Sequence, residues 1–565
     1  MWSVRMPRKM RKDDYLDIIE AAVAAYSDKH LADYIAEAER DGVKEHGFPR
    51  LAANMGVLIA NGRLTAKRDT FRRMMTLCCR DAAKGKMPLA SSGNEFSVKE
   101  LVAALVVVEE AGIFPGNVTD AWRTDLSRIV ARQCYTCLPA VGDDTAWNWC
   151  VFGAASEQAR LAAGVDGDRA HLEKYVADQL RWFDANGMYR DPNQPAVYDF
   201  VTRLQFMSLL SDGYDGPSRQ QLEAILDRAA EPTLAMLSAA GEIPYGGRSN
   251  QFLHNSTFYA AVCEWYASRY DAQGDAAKAA RFRKAAHEAV EALRPWLSQN
   301  PVRHVKNLYP QESGIGCEGY AYFDKYMVTM GSWAALAWRF AEKAQNQDGQ
   351  AALDPPSPSS FATTPDFHFV FLKAGDYSAQ FDYDADPHYD SDGLGRLQRR
   401  GAPSTICLST PCAANPNYAT ELPNDGTLAF VPIGSGTLVP TGNGSDATSA
   451  WANWTIGNLD WRCRLTAGGL DSTLSGQGSV AMQIPAFAFD GERETMVFCN
   501  RSSLTIRYRD WECRYEADGE IVDTGRICCN RNGRYRVFEA RGQNSLALHA
   551  AIIPCCQSPF AISVR

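Results

Sequence analysis

The chain has 565 residues, of which 46% are hydrophobic, and a formal net charge of −9. That length implies two or three domains with large cores, and the acidic balance argues against nucleic acid as the main partner. No window reaches the ~18 consecutive apolar residues of a membrane span, and the basic start "MWSVRMPRKMRKDDYLDIIEAAV" lacks the apolar core of a secretory signal.

Sixteen cysteines invite a disulfide reading, but their arrangement opposes it. Cys78–Cys79, Cys528–Cys529 and Cys555–Cys556 are adjacent pairs, and most of the others lie in apolar runs. A free cysteine packs as a small hydrophobe, and a chain this long needs no disulfides to fold. Cys134-x-x-Cys137 has metal-ligand spacing, yet no second such pair or histidine follows at zinc-site distance. A reducing cytoplasm is the expected compartment.

The first ~345 residues read as about twelve helices. Apolar residues recur at three and four in "YLDIIEAAVAAY", "TFRRMMTLCCRDAA", "AWRTDLSRIVARQC", "LEAILDRAAEPTLAMLSAAG" and "FLHNSTFYAAVCEWYASRY", among others. Many end in Gly or Asn-Gly, as helix C-termini do. Several are apolar on all sides, as the inner helices of a closed ring of hairpins would be. The expectation is an (α/α)6 toroid over residues 1–345.

Composition then changes. The Pro-, Ser-, Thr- and Asp-rich stretch at 346–366 reads as a linker. From 367 to 565, short alternating runs such as "FHFVFLKAGDYSAQFDYD", "WTIGNLDWRCRLTAGGL" and "LTIRYRDWECRYEADGEIVDTG" alternate with turn residues. These predict an antiparallel β-sandwich. Helices come first and strands second, which disfavours a doubly wound α/β fold.

Polar and aromatic residues gather at several predicted helix starts. In "GGRSNQFLHNSTFYAAVCEWYA" a helix beginning near Ser249 would place Gln251, His254 and Asn255 on one side, with Arg248 and Asn250 at the entry. The alternative is a capped, solvated helix end. In "WNWCVFGAASEQAR", Trp147 and Trp149 flank Asn148, which suits stacking on a sugar face beside an amide; two core indoles and a cap would look the same. Glu157 either reaches that cleft or pairs with Arg160. In "AVYDFVTRLQF", Tyr198 is a candidate phenolic acid/base, and Arg203 a cation for an acidic sugar. Asp199 and Arg203, four apart, most simply form an ion pair. In "ESGIGCEGYAYFDKYM", Glu318, Tyr320, Tyr322, Asp324 and Tyr326 follow a glycine-rich turn. In "KEHGFPR", Glu45, His46 and Arg50 read as a loop before a helix, at the ring's mouth or, more simply, solvated.

With "GGRSNQFLHN", "NGMYRDPNQPAVYDFVTR", "ESGIGCEGYAYFDKYM" and "YDSDGLGRLQRRGAPSTICLS", this architecture resembles the toroid-plus-sandwich carbohydrate-active enzymes. That group holds chondroitin, hyaluronan, alginate and heparinase II/III-like lyases and related glucuronide-processing enzymes. The resemblance implies β-elimination at a uronic acid, with Tyr or His moving protons and an Asn, Gln or Arg neutralising the sugar carboxylate. It makes His254, Tyr198, Tyr320 and Glu318 the catalytic candidates. Arg248, Asn250, Gln251, Asn255, Asn148, Trp147, Trp149, Arg203 and Tyr322 become the substrate-binding ones. A glucuronide hydrolase is the alternative, needing two carboxyls from Glu45, Glu157, Asp199, Glu318 and Asp324; a non-catalytic glycan-binding protein is the third reading. The implied partner is an acidic oligosaccharide, with neither nucleic acid nor membrane, and the oligomeric state stays open. No ligand set demands a cofactor. The acid-rich "DYDADPHYDSDG" lacks EF-hand spacing but leaves Ca2+ open.

Overall fold

A computed structural model describes residues 10–89, 92–136, 146–342, 357–386, 389–409 and 429–555. Helices fill the first part of the chain and antiparallel sheets the rest. Two compact units result. The first takes residues 1–234, 252–305 and 319–352; the second takes 235–251, 306–318 and 353–565. The segments 235–251 and 306–318 thus belong with the sheets.

In chain order the helices are α1 (Asp13–Ala24), α2 (Asp28–Asp41), α3 (Gly47–Ala60), α4 (Arg68–Ala82), α5 (Val98–Glu110), α6 (Gly116–Ser127), α7 (Ala131–Cys134) and α8 (Asn148–Ala162). They continue with α9 (Arg169–Leu180), α10 (Ala196–Ser211), α11 (Arg219–Arg228), α12 (Ala230–Met236), α13 (Leu253–Ala272), α14 (Ala276–Leu297) and α15 (Phe323–Glu342). Six of them close a ring. α3 packs on α5, α5 on α8, α8 on α10, α10 on α13, α13 on α15, and α15 back on α3. Each ring member also packs on an outer helix: α3 on α4, α5 on α6, α8 on α9, α10 on α11, α13 on α14 and α15 on α1. This is the (α/α)6 arrangement.

Position in the ring explains the residue pattern. In α13 every residue from Leu253 to Ala267 is buried, including His254, Asn255 and Glu264. In the peripheral α2 only Leu31, Ile35 and Ala38 are buried, at the spacing of a single face. Close contact within the ring requires Gly331 on α15. A Cβ there would lie 2.4 Å from Asn54 Nδ2, which donates to the Val328 carbonyl at 2.9 Å.

Two predicted helices are broken. "LEAILDRAAEPTLAMLSAAG" divides into α11 and α12 at Ala229, so that Pro232, which has no N–H, falls in the first turn of α12. "AWRTDLSRIVARQC" divides into α6 and α7; Val130 is extended (φ −104°, ψ 108°), and Arg160 takes the Ile129 carbonyl at 3.0 Å.

In the second unit, strands β1 (Ser359–Ala362), β2 (Phe369–Ala374), β3 (Tyr377–Asp382) and β4 (Gly393–Arg399) form one antiparallel sheet in that order. Residues 359–362, read as linker from composition, are therefore a strand; residues 346–356 of that stretch lie outside the described residues. The larger sheet holds β5 (Val431–Pro432), β6 (Leu438–Ser445), β7 (Ser449–Ile456), β8 (Leu459–Thr466), β9 (Gly469–Phe489), β10 (Met496–Cys499), β11 (Ser503–Tyr508), β12 (Trp511–Ala517), β13 (Glu520–Cys529) and β14 (Arg534–Pro554). Its order is β10-β11-β12-β14-β9-β8-β7-β6, with β13 on β14 and β5 on β9. The two sheets share one core, in which Phe381 meets Trp454 and Trp461 at 4.5 and 5.8 Å between ring centroids. Period-two burial in β8, where Leu459, Trp461, Cys463 and Leu465 point inward, is what its sequence predicts.

The described cysteines carry free thiols; Cys137 and Cys556 lie outside the described residues. No described helix is long and apolar enough to cross a membrane.

Candidate functional site

At one end of the ring, the N-terminal turns of α13 and α15 meet. The rings of His254 and Tyr326 lie 4.7 Å apart, and Phe252 packs against both, at 5.5 and 5.0 Å. Tyr320 reaches Tyr326 at 6.3 Å. His254 is 5% exposed, and its Nδ1 has no hydrogen-bond partner. Burial first, then the charge of Arg50, hold its imidazole well below the ordinary histidine range. It is therefore a free base at neutral pH.

The helix carrying His254 does not start where the sequence suggested. α13 begins at Leu253, and Ser249 and Gln251 adopt left-handed backbone, φ 62° and 67°. For residues with a Cβ that conformation carries strain and is held by surrounding structure. The chain passes from the β unit to the ring between Gln251 and Phe252. His254 and Asn255 thus belong to the ring, whereas Arg248, Asn250 and Gln251 belong to the β unit.

The α3 entry was read as a solvated loop, and that reading is overturned. Glu45, His46 and Arg50 are 6%, 6% and 3% exposed. Glu45 accepts from the Gly47 and Phe48 N–H groups at 2.6 and 3.2 Å and from the Tyr34 hydroxyl, so it caps α3. Gly47 is needed there because a Cβ would lie 2.3 Å from the Asp324 carbonyl. Arg50 donates to Thr329 Oγ1 at 2.8 Å and to the Phe96 carbonyl at 2.9 Å. Its Nε lies 3.2 Å from Glu100, which also meets Lys99 at 3.3 Å. Lys325, one residue before Tyr326, is pushed down to about 8 by burial, so it still carries its proton at pH 7.

Beside Phe96, α8 opens with two half-buried indoles. Trp147 and Trp149 lie 5.8 Å apart, and Trp149 packs edge-on against Phe96 at 4.8 Å. Asn148 between them is buried and bound to Asp191, through its N–H at 2.9 Å and its amide at 3.0 Å. Its amide donor is committed to holding the helix start.

Other candidates separate into exposed and sealed groups. Tyr198 and Tyr320 are half-buried, and Tyr322 is 37% exposed with Lys325 Nζ 5.1 Å over its ring. Arg203 is fully enclosed: it pairs with Asp199 at 2.9 and 2.6 Å and donates to Thr233 at 2.7 Å. It holds α10 internally rather than facing a ligand. Glu157 pairs with Arg160 at 2.7 Å with almost no exposure of either side chain. Glu318 belongs to the β unit, where it accepts from the Arg531 guanidinium and from the Ser249 N–H at 2.7 Å. Tyr326, Arg50 and Arg531 were not singled out as site residues. The tyrosine lay in a quoted motif, three residues into α15, where helix numbering from the correct start would have placed it beside Tyr322.

Among the described residues, no group of three or more His, Cys, Asp or Glu side chains is arranged to hold a metal. In the acid-rich stretch, Asp382 and Asp390 are buried; Pro387 and His388 lie outside the described residues.

No protein-family model and no curated protein matches the chain. It is similar to several solved structures. One is a heparinase III gene product, at 8% identity and TM-score 0.39, covering 98% of this chain and 86% of that one. A second is a chondroitinase AC lyase, at 10% identity and TM-score 0.41, covering 96% and 84%. A third is the heparan sulfate lyase HepC from Pedobacter heparinus, at 10% identity and TM-score 0.33, covering 97% and 93%.

Proposed function

We propose that the chain is a carbohydrate-active enzyme that cleaves a uronate-containing oligosaccharide by β-elimination. The contact of His254 with Tyr326 at the mouths of α13 and α15 carries this reading. Elimination needs a base for the proton beside the carboxylate, an acid for the departing oxygen, and donors where enolate charge develops. A buried, uncharged imidazole can take the proton. Tyr326, with Tyr320 beside it, can return one to the leaving group. Lys325 and Asn255 flank the pair in sequence and supply a cation and an amide for the carboxylate. Trp147 and Trp149 offer faces for neighbouring sugar rings.

The carboxylates favour elimination over hydrolysis. Hydrolysis needs two of them poised on one bond. Of the five read as candidates, Glu157, Asp199 and Glu318 are in ion pairs with arginine and Glu45 caps α3. That leaves Asp324, which lies 3.3 Å from His30.

The test is incubation with uronate-containing oligosaccharides, reading ultraviolet absorbance and product mass. Elimination yields a conjugated unsaturated uronate and products lighter by one water than hydrolysis would. His254→Ala and Tyr326→Phe should each lower kcat by at least ~10²-fold, the usual scale for a general acid or base. The acid limb of the kcat/KM profile should lie below pH 6.5, the ordinary histidine value. Saturated products, or full activity in both variants, would refute the reading.

A further inference from the structure

His304 lies outside every motif considered above, yet it packs against residues that flank both halves of the His254–Tyr326 pair. It is 4% exposed and stands in the ring unit on the segment that follows α14. Its backbone carbonyl accepts from the Leu253 N–H at 2.9 Å, the first residue of α13. The next residue, Val305, forms a β-bridge with Phe252. Its ring lies nearly parallel to Phe252, 5.8 Å away and inclined by 26°. Phe252 in turn lies nearly parallel to His254, at 5.5 Å and 20°. Three rings therefore form one stack, His304–Phe252–His254, ending on the proposed base.

The other side of His304 faces the approach to α15. Its Nε2 lies 2.7 Å from the Ala321 carbonyl. A carbonyl only accepts, so Nε2 carries the hydrogen. Ala321 is flanked by Tyr320 and Tyr322, and Phe323, the first residue of α15, packs edge-on to the His304 ring at 5.8 Å. Burial pushes His304 down to about 4, so it stays neutral and does not compete for protons near pH 7.

We propose that His304 is a positioning residue: through its ring stack and its Ala321 hydrogen bond it registers the start of α13, which carries His254, against the segment 320–326, which carries the tyrosines. This rests on reading His254 and Tyr326 as the proton-transfer pair. A fixed register matters because a displacement of ~1 Å between reacting groups can cost ~10²-fold in rate.

Two substitutions separate its two contacts. His304→Phe keeps a ring for the stack and loses the donor; His304→Gln keeps a donor for Ala321 and loses the stack. Two readouts are needed, one of which requires no substrate. The first is the titration of His254 followed by 1H–13C NMR of histidine-labelled protein, assigned with His254→Ala. The second is kcat and KM on the oligosaccharide that the parent enzyme cleaves. In His304→Phe the His254 ring signals should move, because the Ala321 anchor is lost, and kcat should fall ~10- to 100-fold with KM changed less than ~3-fold. His304→Gln should displace the His254 ring signals, because the stack is gone, and lose less of kcat. His254 signals and midpoint unchanged in both variants would overturn the proposal, whatever the activity. If the parent cleaves nothing but the His254 ring signals move as stated, the registering role stands and the assigned reaction falls.

Discussion

The ring and the β unit both bury ionisable side chains, and they resolve the cost in opposite chemical forms. In the ring, burial holds His46, His254 and His304 below the ordinary histidine range, so these groups stay free bases. In the β unit, burial pushes Asp382 up to about 6 and Asp390 up to about 7, so these carboxyls keep a proton into mildly acidic solution. One rule governs both: low dielectric penalises whichever form is charged. The consequence differs with the residue type. A buried imidazole becomes an available proton acceptor, whereas a buried carboxyl becomes a hydrogen-bonding strut. Asp390 accepts from the Gly247 N–H at 2.5 Å, and Asp382 meets His368 Nδ1 at 2.5 Å.

The comparison breaks most visibly at the buried ion pairs, one kind in each unit. Arg203→Met in the ring strands Asp199, and Arg531→Met in the β unit strands Glu318; all four side chains are 2% exposed or less. Each should cost ~3–5 kcal/mol in urea unfolding, the usual penalty for an unpartnered buried charge. A loss below ~1 kcal/mol would mean that water reaches the stranded carboxylate.

A smaller effect tests the β unit's protonated carboxyls. Asp390 has a folded value of about 7 against the ordinary carboxyl value of 3.8. The folded state therefore binds more protons than the unfolded state between those values, and the Asp390 contribution to stability falls as pH rises through that window. Asp390→Asn keeps an acceptor for Gly247 without the ionisation. Its stability relative to the parent should rise from pH 4 to pH 8, measured by denaturant midpoints. A difference that does not change with pH would place Asp390 in contact with solvent. In the ring the sign reverses. His304, lowered to about 4, contributes stability that is present above the unfolded histidine value and lost as pH falls towards its folded one.

The smallest expected effect concerns sugar stacking. Trp149→Ala should raise KM about 3- to 10-fold with little change in kcat, because the indole is distant in role from proton transfer. A fall in kcat without a change in KM would make it part of the catalytic frame instead.

Much of this was legible in the residues. Helices first and strands second followed from the change of apolar period near residue 360. The all-round apolar inner helices announced a ring, and the spacing of Asp199 and Arg203 announced their ion pair. The site was legible only in part. His254 was singled out because it sits beside a helix start, but that start was set four residues early. The left-handed backbone at Ser249 and Gln251, which ends the loop, has no glycine to betray it. Arg50 looked solvated because nothing local to "KEHGFPR" shows the covering elements. Arg531 pairs with Glu318 across 213 residues, and no periodicity reports such a partner.

Side-chain spacing and local backbone preference were enough to set which segments are helix or strand and which faces must be buried. Which polar groups meet depended on how those segments pack. Closing six hairpins into a ring brings the segments that carry His254, His304 and Tyr326 together, and burial there keeps both histidines as free bases.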